Sequence, residues 1–186
     1  MRKGVLLVRQ YIESNFPGTN VTVPTKDSSI PLIDLLVKKK RTIQLKVYAS
    51  YASKNFIPEW DAEYSVKKQF RAAGLFTPER QKLDQSGADY WVLVIQRSDK
   101  DTDDCSKKVI YDYVMIPPKE LSDILPKPPR DAAKYRIYVW VTKGGQAWLG
   151  RGLSEQQRKS ISENTFPNKD RELTKYLNNW SPIQEL

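Results

Sequence analysis

The sequence predicts an α/β protein, a mixed sheet flanked by helices in a single domain, and three observations carry that expectation. The run YWVLVI at 90–95 is continuously apolar and strand-length, the pattern of a strand covered on both faces. Two apolar stretches, PLIDLLV at 31–37 and TIQLKVYA at 42–49, flank four consecutive cations and read as a hairpin. The stretch KGVLLVRQYIESNF at 3–16 places Val5, Val8, Ile12 and Phe16 at three- and four-residue steps before Pro17-Gly18, as an amphipathic helix does. A chain of 186 residues suits one sizeable core.

The elements follow in order. After the first helix, NVTV at 20–23 is a short β-branched strand, and the hairpin follows. Residues 50–75 are ambiguous: PEWDAEYSVKKQFRAAG fits a helix that ends at Gly74. TPERQKLDQSG at 77–87 offers Thr77 as an N-cap with Pro78 at the first helical position. ADYWVLVIQ at 88–96 is the buried central strand, SDKDTDDCSKK at 98–108 a polar loop, VIYDYVMI at 109–116 another strand, and PPKELSDIL at 117–125 a short helix. PKPPRD at 126–131 separates a core of about 1–125 from C-terminal elements at about 130–186 that belong to the same fold. In YRIYVWV at 135–141, Tyr135, Ile137, Val139 and Val141 share one face, with Arg136, Tyr138 and Trp140 on the other. TKGGQ at 142–146 reads as a turn. Ser154 and Gln157 form a capping box for a helix over 154–161. A last helix is predicted over 168–180, its core stripe made of Leu173, Tyr176, Leu177 and Trp180.

Composition narrows the chemistry. With 31 Lys and Arg against 22 Asp and Glu the net charge is +9, which favours an anionic partner, most simply nucleic acid. The absence of histidine removes His-based triads, His general bases, HNH-type nucleases and nearly all zinc sites. A single cysteine, Cys105, allows no internal disulfide and fits a reducing, cytoplasmic setting. The five apolar residues before Arg9 are too few for a signal peptide, and no run approaches a membrane span.

The hairpin is the one place where polar residues interrupt apolar strands. Alternation puts Gln44 and Lys46 on one face with Thr42 and Tyr48, while Ile43, Leu45 and Val47 face the other way, into the core. Asp34 shares a face with Leu32 and Leu36. For Asp34 to join Gln44 and Lys46, paired positions must sum to an even number, which requires an odd loop of three or five residues around Lys38–Lys40. Asp34 beside Lys46 is then either a partly buried ion pair or a reactive site. In the second case Asp34, the Gln44 amide and the Leu45 carbonyl are hard oxygen ligands suited to Mg²⁺. Lys46 would orient a water or stabilise charge on a phosphate.

Asp34, nine residues and then Gln44-Leu45-Lys46, in the setting IDLLV…QLK, resembles the D-x(n)-(E/D/Q)-x-K signature of the PD-(D/E)XK nuclease superfamily, in its Gln-x-Lys form. The element order is similar too: helix, strand, metal-site hairpin, helix, then a strand such as GADYWVLV. So are the strand ending in MIPPKEL and the closing ELTKYLNNW. The resemblance implies a restriction-endonuclease-like fold over residues 1–186 and a Mg²⁺-dependent endonuclease, Mn²⁺ substituting, that hydrolyses phosphodiester bonds in DNA. The setting would be restriction, repair, mobile elements or phage defence. Asp34, Gln44 and Lys46 would be catalytic, and Asp34, Gln44, Leu45 and Glu13 would hold the metal. Glu13 stands in for the acid that many members carry near the start of the first helix. Cutting both strands would call for a homodimer or a larger symmetric assembly.

Lys38, Lys39, Lys40 and Arg41 at the hairpin tip are expected to hold the DNA backbone. Lys67, Lys68 and Arg71 are a second basic set, in a stretch interleaved with Tyr48, Tyr51, Lys54 and Trp60, with Trp60 read as core. No membrane and no small-molecule cofactor is expected. The competing expectation is a catalytically degenerate nucleic-acid-binding protein on the same fold. A further one is a scaffold subunit, which would expose an apolar patch built from Tyr138 and Trp140.

Overall fold

A computed structural model describes residues 2–24, 33–50, 70–96, 110–126, 132–150 and 153–186. The elements in chain order are α1 (Lys3–Asn15), β1 (Asn20–Thr22), β2 (Leu35–Lys38), β3 (Thr42–Ala49), β4 (Phe70–Phe76), α2 (Arg80–Asp84), β5 (Tyr90–Gln96), β6 (Tyr111–Ile116), α3 (Pro118–Ile124), β7 (Ile137–Thr142), β8 (Ala147–Leu149), α4 (Glu155–Ser162), a 3₁₀ turn (Thr174–Tyr176) and α5 (Ser181–Gln184). They form a mixed α/β architecture with two sheets. The larger has five strands in the order β1-β2-β3-β5-β6, and the smaller is β4-β7-β8. Among the described residues only the β3–β5 pair is parallel; the other pairs in both sheets are antiparallel.

Alternation along the strands sends side chains into two cores, one on each face of the large sheet. On one face Leu35, Val37, Leu45, Val47, Val92 and Val94 pack against Val5, Val8 and Ile12 of α1 and against Trp180, Ile183 and Leu186 at the C-terminus. On the other, Trp91, Leu93, Ile95, Val114 and Ile116 meet the small sheet through Ala72, Phe76, Ile137, Val139 and Val141. β5 is therefore covered on both faces, and its residues 91–95 are all buried. The far face of the small sheet is closed by a third cluster of Trp140, Trp148, Leu153 and Ile161.

Several elements depart from the sequence expectation. Residues 70–76 are a strand and not the end of a helix, because Ala72, Gly74 and Phe76 alternate into the core opposite β7. α2 begins at Arg80 with Glu79 at the N-cap, since Pro78 accepts the Tyr135 N–H and Glu79 bridges Lys134. The stripe at 168–180 is not one helix. Leu173 and Tyr176 are buried by a 3₁₀ turn, and Leu177 then pairs with Val114 across the edge of β6. Of the patch expected from Tyr138 and Trp140, Trp140 is 4% accessible, packed with Leu153, Ile161 and Phe70, and Tyr138 is half-buried.

Candidate active site

The β2–β3 hairpin pairs Leu35 with Leu45, Leu36 with Gln44, Val37 with Ile43 and Lys38 with Thr42, across a loop of three residues, Lys39–Arg41. Every pair sums to 80, so Asp34 stands across from Lys46, and Gln44 lies one strand repeat further along the same face. The backbone holds Asp34 from both sides. Its N–H donates to the Leu45 carbonyl at 2.9 Å. Its Oδ2 accepts the Val47 N–H at 2.8 Å, which replaces a ladder bond where β2 has not yet begun. Asp34 and Lys46 are only 9% and 7% accessible, and Lys46 Nζ lies 3.4 Å from Oδ2 and 3.5 Å from Oδ1.

A second cation reaches the same carboxylate, and the sequence reading missed it. Arg2, at the N-cap of α1, donates to Asp34 Oδ1. Gly4 makes this possible. A Cβ at that position would lie 2.7 Å from the Ala49 Cβ, so only glycine lets α1 settle this closely on the end of β3. A basic residue just ahead of an amphipathic helix is the only trace in the sequence, and nothing local ties it to Asp34. Burial pushes the Lys46 amine below the usual lysine range, against the opposing pull of Asp34, and Arg2 adds to the lowering. Burial, together with the Asp34 charge, pushes the Tyr48 phenol up to about 12. The Tyr48 ring stacks on Trp91 at 4.7 Å between centroids and lies 5.9 Å from Lys46 Nζ.

The other predicted ligands divide. Gln44 is half-buried, and its backbone is clamped by Asp89, which accepts the Gln44 N–H at 2.7 Å and returns its own N–H to the Gln44 carbonyl at 2.9 Å. Asp89 was read only as part of a strand. The Leu45 carbonyl already accepts one bond and keeps a second lone pair. Glu13 does not join the site. It lies about 16 Å from Arg2 along α1 at 1.5 Å per residue. There it accepts from Arg9 at 2.8 Å, and its side chain is 42% accessible. Of the expected ligands Asp34, Gln44 and Leu45, Asp34 is the one carboxylate, and among the described residues no group of three or more Asp, Glu, Cys or His that could hold a metal ion converges.

The predicted nucleic-acid contacts also divide. Lys38, Lys39, Lys40 and Arg41 are exposed at the hairpin tip, about 13 Å along the strand from Asp34 at 3.3 Å per residue. Lys67 and Lys68 lie outside the described residues, as do Tyr51, Lys54 and Trp60. Arg71 is not a surface cation awaiting DNA. It is the extra residue of a bulge in β4, between Phe70 opposite Thr142 and Ala72 opposite Val141. The bulge turns its guanidinium onto the fully buried Asp112, at 2.8 and 3.2 Å. Asn178 donates to the same carboxylate at 2.9 Å.

Arg2, which reaches Asp34, also lines a cleft of about 360 Å³ together with Lys3, Tyr48, Ser50, Gln96 and Tyr111; Asp34, Gln44 and Lys46 are not among its lining residues. Among the described residues no helix is long and apolar enough to cross a membrane. No family model, curated protein or solved structure matches the chain.

Proposed function

We propose that the chain is a Mg²⁺-dependent nuclease that hydrolyses phosphodiester bonds in DNA through Asp34, Gln44 and Lys46. One observation carries the reading: a buried aspartate held by β3 through its own N–H and through its carboxylate, with a buried lysine 3.4 Å away on that strand. Two charges cost several kcal/mol each to bury, and a core of this kind is served as well by apolar residues. Arg2, on the same carboxylate, lines a cleft, and that gives the cost a chemical use. The resemblance of this hairpin to the PD-(D/E)XK signature points the same way.

Asp34, with the Leu45 carbonyl and the Gln44 amide, would hold one Mg²⁺. When bound, that ion would lower the pKa of a water and neutralise charge on the phosphate. The protein's own residues do the rest. Asp34 keeps Oδ1 toward Arg2, which lines the cleft, while the Val47 N–H fixes Oδ2. Lys46 holds a positive charge where the pentavalent phosphorane gains negative charge. The water oxygen gives up a proton to solvent as it bonds to phosphorus, the bond from phosphorus to the leaving sugar oxygen breaks, and that oxygen takes up a proton from solvent. Duplex cleavage would use two copies of the chain, in restriction, repair, mobile-element or phage-defence settings.

With Mg²⁺ or Mn²⁺ the protein should nick or cut DNA, EDTA should stop it, and Ca²⁺ should support binding without cleavage. Asp34→Ala and Lys46→Ala should each abolish cutting, with DNA binding kept in Lys46→Ala. Cleavage that survives both substitutions would place the active site elsewhere. A non-cutting, nucleic-acid-binding reading is favoured by one feature, the neutral amide of Gln44 at a position where a carboxylate would ligate metal more strongly. Gln44→Glu separates the two: it should preserve or raise activity in an enzyme, whereas no cleavage of DNA or RNA by parent or variant would leave the binding protein.

A further inference from the structure

We propose that the cleft lined by Arg2 and Lys3 seats a phosphate of the nucleic acid, and that Arg2 couples the arrival of that phosphate to cation binding at Asp34. The inference rests on the nuclease reading and deepens it. Asp34 has one oxygen committed to the backbone, Oδ2 on the Val47 N–H, and one turned to cations, Oδ1. Arg2 occupies Oδ1, so a divalent ion and Arg2 compete for the same lone pairs. The two partners of this ion pair are unequally placed: Asp34 is 9% accessible and the Arg2 side chain 60%. An arginine that wet exchanges partners at little cost.

The cleft provides the other partner. Its lining includes two cations, Arg2 and Lys3, and no carboxylate, so it attracts an anion. At about 360 Å³ it has room for a phosphate together with its sugar. A planar guanidinium binds phosphate oxygens in the same two-pronged way as a carboxylate. A phosphate entering the cleft draws Arg2 off Asp34, and Oδ1 becomes free for the ion. Linkage then runs in both directions: the phosphate tightens cation binding and the cation tightens nucleic-acid binding. Without substrate, Arg2 keeps the ion out.

Mn²⁺ binding to the protein alone, read from the electron paramagnetic resonance of the free ion, tests the competition. Arg2→Ala and Arg2→Gln should each bind Mn²⁺ about tenfold more tightly than the parent, within the usual range of such couplings. Arg2→Lys should stay close to the parent. The affinity for a short DNA duplex, read by fluorescence anisotropy in Ca²⁺ and in EDTA, tests the coupling. Ca²⁺ should tighten duplex binding by the parent more than by Arg2→Ala. A parent that binds Mn²⁺ and duplex, with Arg2 variants that bind Mn²⁺ no more tightly, overturns the role of Arg2 and leaves the nuclease reading standing. Mn²⁺ binding that stays absent even in Arg2→Ala, or that is unchanged when Asp34→Ala is added to that variant, overturns the nuclease reading and the inference with it.

Discussion

Asp34 and Lys46 oppose the packing logic of the strands they sit on, while Leu45 between them obeys it. That contrast makes the residue-scale prediction sharp. Leu45 is fully buried between α1 and β2, so Leu45→Ala should cost roughly 2–5 kcal/mol in chemical denaturation. Removing one partner of a buried pair usually costs as much, because the other charge is stranded. Asp34 would not be stranded, since Arg2 and the Val47 N–H remain on it. The Lys46 ammonium is also disfavoured by burial, as its lowered pKa records. Lys46→Met should therefore stay within about 1 kcal/mol of the parent. If it unfolds the protein as readily as Leu45→Ala, Lys46 is a structural ion-pair partner and its catalytic role loses this support. Asp34, Gln44 and Lys46 could be singled out from sequence because strand alternation makes polar residues in an apolar strand conspicuous. Arg2 could not, because its tie to Asp34 depends on how α1 lands on β3.

At the scale of elements, local codes were readable and distant ones were not. The Ser154–Gln157 capping box stands as the sequence predicts, with bonds of 3.2 and 2.9 Å, because all of its information lies within four residues. The bulge at Arg71 depends on β7 and on Asp112, 41 residues away, and a basic residue near the end of an ambiguous segment carries no sign of either. Arg71→Ala would leave Asp112 buried with one cation fewer. A loss of about 3–5 kcal/mol is expected, with no change in the salt dependence of DNA binding. A variant that keeps its stability but loses DNA affinity would return Arg71 to the nucleic-acid surface. A second tie joins α3 to the 3₁₀ turn: Glu120 accepts from Tyr176 and from Lys175, the latter at 2.9 Å. The bond from Tyr176, then that from Lys175, holds the Glu120 carboxyl below the usual glutamate range. A depressed carboxylate contributes stability above its unfolded pKa, near 4.5, and loses it as pH falls through the folded value. Melting temperatures should show Glu120→Gln less stable than the parent at pH 7, with the gap closing below about pH 4. A gap that stays constant with pH would mean that the carboxylate charge is not what ties α3 down.

Across the whole molecule, the mixed α/β class followed from three apolar patterns, whereas the split into two sheets did not, since β4 and β7 carry no local mark of whether they extend the large sheet or cover it. Charge is the other whole-molecule property. A net charge of +9 sets up long-range attraction to any polyanion, and the tip of the β2–β3 hairpin concentrates four cations in the open. The tip and the Asp34 site occupy opposite ends of one hairpin, about 13 Å apart. A nucleic-acid backbone lying along that hairpin would meet the tip at phosphates displaced from the one undergoing attack. The tip should then supply affinity and leave chemistry alone. If Lys38, Lys39 and Lys40 each neutralise one phosphate, changing all three to Ala should flatten the slope of log affinity against log salt by about 2.7. Cleavage at saturating DNA should stay near the parent rate, since Asp34, Lys46 and Arg2 are untouched. An unchanged salt slope would move the DNA track away from the tip, and a flat salt dependence in the parent itself would remove nucleic acid as the partner.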